Sequence, residues 1–162
     1  MTKTVSSQPT YEQALSRAAA QCSRSEHSIE QIRQKLRQWG ITPTHTEQII
    51  AQLIDEKYID ELRYAIAYVR DKYRLQHWGR AKISTMLRLQ RISQTDIAQA
   101  LNEIDPQEYH DNLVHTLQSK RRTLKDQDPR IIRDKLLRHA ATRGYEAEEI
   151  IKIIEEDDTH FT

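Results

Sequence analysis

The 162-residue chain has few of the residues that interrupt or cross-link a fold, with three glycines, four prolines and one cysteine. A single cysteine excludes an internal disulfide framework and is typical of a protein in a reducing compartment. Cys22 follows Ala18 by four residues on one predicted helical face, which favours buried packing over a reactive thiol. No run of about 18 apolar residues is present, so no transmembrane helix is predicted. We therefore expect a cytoplasmic protein.

The sequence also lacks the motifs that usually carry catalysis or hold a cofactor. It contains no glycine-rich phosphate loop, no HExxH, no CxxC and no nucleophile elbow. Its seven histidines are scattered. The two that lie nearest in sequence, His110 and His115, have a spacing that does not place both rings on one helical face. The sequence thus predicts a protein that is not an enzyme, with no metal site and no cofactor.

Apolar residues recur at helical spacing along the whole chain, and the predicted helices fall into groups of three. The leucines at equivalent positions of the three second helices, Leu36, Leu87 and Leu136, are separated by 51 and 49 residues. No convincing strand pattern is present. A repeat of about fifty residues is too small to bury its apolar face well alone, so neighbouring repeats should stack. The predicted fold is all-α, with three tandem three-helix repeats forming an elongated, curved helical array.

Glycine, proline and capping residues predict the boundaries of these repeats. Gly40, Gly79 and Gly144 each border a second helix, and Ser28 is a candidate N-cap, as is either Ser93 or Thr95. Pro106 and Pro129 suit the first turns of helices. The first residues lack the apolar core of a signal peptide. The predicted organisation is a disordered N-terminal lead at 1–10, repeats at 11–58, 59–105 and 106–158, and a C-terminal tail at 159–162.

Charge alternates along the chain with the same period, although the whole chain carries only +1. Residues 70–91 contain seven basic residues and one acidic residue, a net charge of +6, and residues 92–112 carry −5. Residues 113–143 carry +6 and residues 144–162 carry −6. The basic faces could be solvated or paired with acidic helices. Alternatively, they could align into a stripe suited to an anionic partner such as a phosphate backbone.

The central basic segment supplies the candidate contact residues. They are Arg70, Lys72, Arg74, Arg80, Lys82, Arg88 and Arg91. Trp39 and Trp78 lie at the edges of second helices, where core packing is favoured and an interface anchor is the alternative. A DNA-binding helix-turn-helix over 79–89 and 96–104 is disfavoured, because the second helix, which should read the major groove, has no Lys or Arg.

Two parts of the sequence follow a known pattern. The central one is Tyr58-Ile59-Asp60-Glu61-x-Arg63-Tyr64-Ala65, and it continues through Trp78-Gly79-Arg80-x-x-Ile83 to Leu87-x-x-x-x-Ile92-Ser93. An earlier one is Arg24-Ser25-Glu26-His27-Ser28, followed by Ile32-Arg33-x-Lys35-Leu36 and Gly40-Ile41. In order and spacing they resemble the RecX family of regulators of the bacterial RecA recombinase. The sequence departs from the family pattern at Arg80, where proline is frequent, and at Arg91, where glycine is frequent, and the third repeat matches weakly.

The resemblance implies a regulator that lies in the groove of the RecA–single-stranded-DNA filament. Such a protein blocks filament extension or promotes disassembly, and so inhibits recombinase, ATPase and co-protease activity. The implied partners are the RecA filament and single-stranded DNA, the latter bound weakly or only with RecA; no membrane contact is expected, and the chain should be a monomer. A stand-alone DNA-binding repressor and a generic helical-repeat scaffold are the alternatives.

The family-signature residues are expected to be structural. They are Asp60, Arg63, Tyr64, Ala65, Gly79, Ile83, Leu87 and Ile92. Asp60 should cap the helix that carries Arg63, and Gly79 should allow a sharp turn of the chain.

Overall fold

A computed structural model describes residues 7–156, which are all-α, as predicted, with nine helices and no strand. Residues 1–6 of the predicted lead and the predicted tail at 159–162 lie outside the described residues. The helices are α1 (Tyr11–Arg24), α2 (Ile29–Gln38), α3 (Pro43–Asp55), α4 (Glu61–Leu75), α5 (Arg80–Leu89), α6 (Gln94–Leu101), α7 (Pro106–Thr123), α8 (Pro129–Thr142) and α9 (Ala147–Glu156). None of these helices combines the length and apolar character needed to span a bilayer.

Several helices begin at residues that satisfy the free backbone amides of the first turn. The Ser28 hydroxyl accepts a hydrogen bond from the Gln31 amide at 3.1 Å, and the Gln31 side chain accepts one from the Ser28 N–H at 3.1 Å. Ser93, rather than Thr95, caps α6. Asp60 accepts a hydrogen bond from a first-turn amide of α4 at 2.9 Å, as predicted. Each such cap stabilises its helix by about 1 kcal/mol.

All three second helices are followed by a residue in the left-handed backbone region. These are Gly40 after α2, with φ 79°, Arg91 after α5, with φ 59°, and Gly144 after α8, with φ 97°. The glycine ends predicted for α2 and α8 are therefore confirmed. At α5 the chain makes a similar turn with an arginine, although the left-handed conformation costs a residue with a Cβ about 1 kcal/mol.

Gly79 does not have the role predicted for it. The left-handed turn before α5 is made by His77, with φ 51°, whereas Gly79 lies outside that region. Gly79 instead permits a close approach of two loops, because its N–H donates to the Arg143 carbonyl at 2.8 Å and the Ala81 N–H donates to the Gly144 carbonyl at 3.0 Å. A Cβ at Gly79 would overlap the Gly144 carbonyl group. The prediction of a glycine required for turning was wrong.

The described helices belong to two compact units. One contains the described residues up to Tyr64 together with Gln90–Ile92, and the other contains Ala65–Leu89 and the described residues from Ser93 onward. Helices α5 to α9 thus lie mainly in the second unit. The leucines from which the repeat was measured, Leu36, Leu87 and Leu136, are fully buried. Cys22 is also buried, as predicted, and burial raises the pKa of its thiol.

Candidate functional site

The predicted contact residues lie on two helices and the turn that follows them. Helix α4 carries Arg70, Lys72 and Arg74, α5 carries Arg80, Lys82 and Arg88, and Arg91 follows α5. Arg70 and Arg74 are four residues apart and lie on an exposed face of α4, because the neighbouring Val69 and Tyr73 occupy the buried face.

Arg70 and Arg74 have carboxylate partners on later parts of the second unit. A guanidinium nitrogen of Arg70 contacts the Glu103 carboxylate, and the Arg74 Nε atom lies 3.3 Å from the Glu108 Oε2 atom. The Tyr73 hydroxyl donates to the same Glu108 oxygen at 3.1 Å. Because these side chains are about half exposed, solvent screens both ion pairs and each adds little to stability. The charge of these arginines is nonetheless largely compensated within the chain.

Arg80 is fixed more firmly, in a cluster with Tyr109 and two glutamates of the third repeat. Its Nη1 atom lies 3.3 Å from a Glu149 carboxylate oxygen and 3.5 Å from one of Glu146, and its guanidinium stacks 3.9 Å from the Tyr109 ring centroid. The Tyr109 hydroxyl donates to Glu146 at 2.6 Å and accepts from the Arg80 backbone N–H at 3.1 Å. Burial, and then the bond to Glu146, raise the pKa of Tyr109. Arg80 therefore serves the packing of this unit.

Lys72 and Lys82 have a different environment, because both ammonium groups lie against the ring of Trp78. Their Nζ atoms are 4.8 Å and 4.1 Å from the ring centroid, within the range of cation–π attraction. Within the described part of the chain, neither lysine has a carboxylate within 4.0 Å. Trp78 is half-buried, so part of its surface remains accessible. In this Lys–Trp–Lys group, two of the predicted contact residues keep a charge that no described carboxylate compensates.

The remaining members of the predicted set, and the other tryptophan, are separate from this group. Arg88 donates to the Thr85 hydroxyl at 3.1 Å and has no ion-pair partner among residues 7–156. Arg91 belongs to the first compact unit, where its guanidinium lies 3.8 Å from Glu30 and is 77% exposed. Trp39 packs partly against the first core and has the Arg17 guanidinium 4.5 Å from its ring centroid. The core packing favoured for the tryptophans is therefore confirmed for Trp39, although its ring is only partly buried, whereas Trp78 is half-buried beside Lys72 and Lys82.

The family-signature residues form part of the framework. Ala65, Ile83 and Leu87 are fully buried, and Tyr64 and Ile92 are nearly so. Arg63 donates to the Glu26 carboxylate at 2.5 Å and to the Lys57 carbonyl at 3.2 Å. The remaining two are Asp60, which caps α4, and Gly79, which allows two loops to pack closely.

Sequence reasoning did not identify a second basic group, which the second unit assembles from distant residues. The His77 and His115 rings lie edge to face with their centroids 5.5 Å apart. The Arg143 guanidinium donates to the Gln76 carbonyl at 2.7 Å, beside His77. His77 and His115 are 38 residues apart, so no periodic pattern in the sequence indicates that they are neighbours. The net charge of residues 113–143 was the only sequence signal for a basic group in this region.

The nine helices of residues 7–156, in successive groups of three, define an all-α helical-repeat protein. Within the chain, residues 14–53 match the family model for the first three-helix domain of RecX, and residues 60–101 match that for the second. The two domains occur in the family's order and together cover about half of the chain. The chain belongs to the RecX family.

Relatives and solved structures agree with this assignment. A Regulatory protein RecX of Leuconostoc mesenteroides is 29% identical over 149 residues, covering 90% of this chain and 56% of the relative. One of Prosthecochloris aestuarii is 28% identical over 144 residues, covering 88% of this chain and 92% of the relative. The crystal structure of RecX from Lactobacillus salivarius superposes with a TM-score of 0.80 at 22% identity, over 91% of this chain and 96% of that chain. Another crystal structure of a regulatory protein RecX gives a TM-score of 0.83 at 23% identity, over 91% of this chain and 73% of that chain. The shared fold thus extends beyond the two matched domains.

Proposed function

We propose that this protein is a non-catalytic cytoplasmic regulator that binds RecA–single-stranded-DNA filaments and inhibits the recombinase, ATPase and co-protease activities of RecA. It acts by blocking filament extension or by promoting disassembly. The observation that carries the proposal is the match to two successive RecX domains, at 14–53 and 60–101. A regulator that works by binding needs an accessible contact surface, and the second unit provides one.

The Lys–Trp–Lys group of Lys72, Trp78 and Lys82, together with Arg88, is the strongest part of the proposed contact surface. A half-buried tryptophan can bury the rest of its ring against a partner, and aromatic anchors of this kind dominate the energetics of many interfaces. The flanking ammonium groups have no carboxylate partner in the described chain, so a negatively charged partner surface can pair with them. Proximity to the ring does not neutralise their charge.

The other four members of the predicted set have a secondary role in this proposal. Arg70, Arg74, Arg80 and Arg91 already contact carboxylates of this chain. A partner would have to displace those carboxylates, which offsets much of the gain from a new ion pair. We therefore assign the principal filament contact to Lys72, Lys82 and Arg88.

Titration of the protein into RecA with single-stranded DNA, followed by ATP hydrolysis, tests this proposal. The wild-type protein should inhibit hydrolysis. The triple variant Lys72→Glu, Lys82→Glu, Arg88→Glu should need at least about tenfold more protein for half-inhibition, which corresponds to about 1.4 kcal/mol. No inhibition by the wild type would reject the function, and equal inhibition by the triple variant would reject only the contact assignment.

A matched control changes three exposed cations of the first unit by the same total charge. These are Arg24, Arg37 and Lys57, none of which has an ion-pair partner in the described chain. The variant Arg24→Glu, Arg37→Glu, Lys57→Glu should inhibit RecA like the wild type. Circular dichroism of both triple variants must show unchanged helicity, because none of the six residues belongs to the buried core.

A further inference from the structure

The second compact unit contains a group of basic side chains that described carboxylates do not neutralise. We call this group the cationic patch. It consists of His77, His115, Lys120, His139 and Arg143. Among residues 7–156, no carboxylate lies within 4.0 Å of any of the five, although the neighbouring Arg133 and Lys135 are both ion-paired. All five side chains keep some exposure to solvent. The patch thus differs from the predicted basic segment, much of whose charge is used inside the chain.

Arg143 lies at the centre of the patch and connects its two halves. It follows α8 by one residue, and its backbone N–H bonds to the His139 carbonyl at 3.3 Å, one turn earlier. One of its guanidinium nitrogens donates to the Gln76 carbonyl at 2.7 Å, which holds it beside His77. The His115 ring lies 5.5 Å from the His77 ring. The remaining donors of the guanidinium are free to bind an anion, and a guanidinium fork matches phosphate geometry.

The charged neighbours that shift the pKa of the two half-buried histidines are cations. Burial lowers the pKa of His77, and the neighbouring His115 and Arg143 lower it further. Burial also lowers the pKa of His139, with Lys120 and Arg143 as the charged neighbours. The Tyr145 hydroxyl, which donates to the His77 carbonyl at 2.8 Å, adds a neutral polar contact to this loop. An anion placed here would meet several cations, and no carboxylate of residues 7–156 lies within 4.0 Å of them.

We propose that the cationic patch binds the phosphate backbone of single-stranded DNA. The inference rests on the proposed function, in which single-stranded DNA is the polyanion of the filament. It assigns the DNA contact to His77, to side chains of α7 and α8, and to Arg143, which follows α8. Lysine and arginine would form charge-assisted hydrogen bonds to phosphate oxygens and release condensed counterions. The histidines would add positive charge when the bound phosphate favours their protonation.

Binding of fluorescein-labelled oligo(dT) by the full-length protein, measured by fluorescence anisotropy over a salt series, tests the patch. Loss of one cation that contacts a phosphate reduces the magnitude of the slope of log K against log salt by about 0.7. At 0.1 M salt this corresponds to about a fivefold loss of affinity. Lys120→Gln and Arg143→Gln should each show this change. Arg133→Gln is the matched control, because Arg133 lies on α8 and is already paired with Glu155 at 3.1 Å; its slope should stay at the wild-type value.

The histidines of the patch lead to a second, independent prediction, which concerns the pH dependence of oligo(dT) binding. Affinity should rise as the pH falls from about 8 to about 6, because phosphate favours protonated His77 and His139. His139→Gln should reduce this rise. An affinity that does not depend on pH would remove the histidines from the site.

Wild-type salt slopes in both Lys120→Gln and Arg143→Gln, or no oligo(dT) binding by the wild type, would overturn the patch assignment. Arg143→Gln also loses the bond to the Gln76 carbonyl, so Lys120→Gln decides alone if the arginine variant has lost helicity. The RecA ATPase assay separates this failure from that of the proposed function. Patch-dependent DNA binding without any inhibition of RecA would reject the function and keep the patch. Weakened inhibition by variants that still bind oligo(dT) normally would assign the patch to an acidic protein surface and overturn the DNA assignment.

Discussion

Gly79 and Gly144 face each other in the second compact unit with no room for a side chain between their backbones. A Cβ at Gly79 would overlap the carbonyl group of Gly144, and a Cβ at Gly144 would lie 2.6 Å from the Lys82 backbone nitrogen. Two backbone hydrogen bonds, from the Gly79 N–H to Arg143 and from the Ala81 N–H to Gly144, join the loops at this point. The two loops carry Trp78 and Arg143, so the same contact positions the Lys–Trp–Lys group and the cationic patch.

Gly79→Ala should destabilise the second unit strongly. The added methyl group meets backbone atoms, which cannot move aside as a flexible side chain can, so we expect a loss of at least about 3 kcal/mol in the free energy of unfolding. Urea denaturation followed by circular dichroism measures it. A loss below about 1 kcal/mol would show that the two loops can separate at little cost.

Gly40→Ala is the matched control for this substitution. Gly40 has φ 79°, but the atoms nearest to an added Cβ belong to the flexible side chain of Gln8, at 3.3 Å or more. The cost should therefore be only that of the left-handed backbone, about 1 kcal/mol. The two alanine variants differ in mechanism, and their free energies of unfolding should differ by about 2 kcal/mol or more.

Arg91→Gly should stabilise the protein. Arg91 adopts φ 59° after α5, at the position corresponding to Gly40 and Gly144, and glycine would remove the steric cost of its Cβ. Its ion pair with Glu30, at 3.8 Å and 77% exposed on the arginine side, contributes little. We expect a gain of about 0.5–1 kcal/mol in the free energy of unfolding by urea titration. A lower midpoint than wild type would show that Arg91 makes a stronger contact than its exposure indicates.

Tyr109→Phe should destabilise the second unit without creating a cavity. The hydroxyl donates to Glu146 at 2.6 Å and accepts from the Arg80 amide at 3.1 Å, so its removal leaves two partly buried polar groups without this partner. The expected cost is about 1–3 kcal/mol in thermal or urea unfolding. Tyr11→Phe is the control, since the Tyr11 hydroxyl lies 3.4 Å from Gln52 in a weaker bond and its loss should cost less than about 0.5 kcal/mol.

The pKa values of His77 and His139 predict lower stability in mild acid. Both are lowered from 6.5 by burial and neighbouring cations, so below this value the unfolded chain binds more protons than the folded chain. Their stabilising contribution is complete above the unfolded pKa and is lost as the pH falls through the folded values. The melting temperature should decrease between about pH 7 and about pH 5.5.

The double variant His77→Asn, His139→Gln should show a smaller decrease over that range. Asparagine is chosen at position 77 because it tolerates the φ of 51° better than most residues. An unchanged pH dependence in this variant would mean that other groups titrate in this window.

The amphipathic pattern and the capping residues predicted much of the fold correctly. Ser28 caps α2, Pro106 and Pro129 begin α7 and α8, and Gly40 and Gly144 end second helices. These features depend on neighbours within about one turn, so local sequence is enough to specify them. Arg91 was not predicted as a helix end, because a left-handed residue with a side chain leaves no compositional signal.

The candidate site was less predictable, because the accessibility of a charge depends on residues far away in the chain. The sequence placed Arg70, Arg74 and Arg80 in the most basic segment, but their carboxylate partners lie 33, 34 and 66 or more residues later. His77 and Arg143 likewise come together only because the loops at Gly79 and Gly144 pack closely.

The sequence by itself therefore determined the all-α repeat, most of the helix boundaries and the buried leucines, since helical periodicity and capping act over a few residues. The tertiary structure alone decided which cations remain free. Lys72, Lys82 and Lys120 keep their charge accessible while Arg74 and Arg80 contact glutamates of this chain, and charge compensation of that kind is set by distances through space rather than by positions in the sequence.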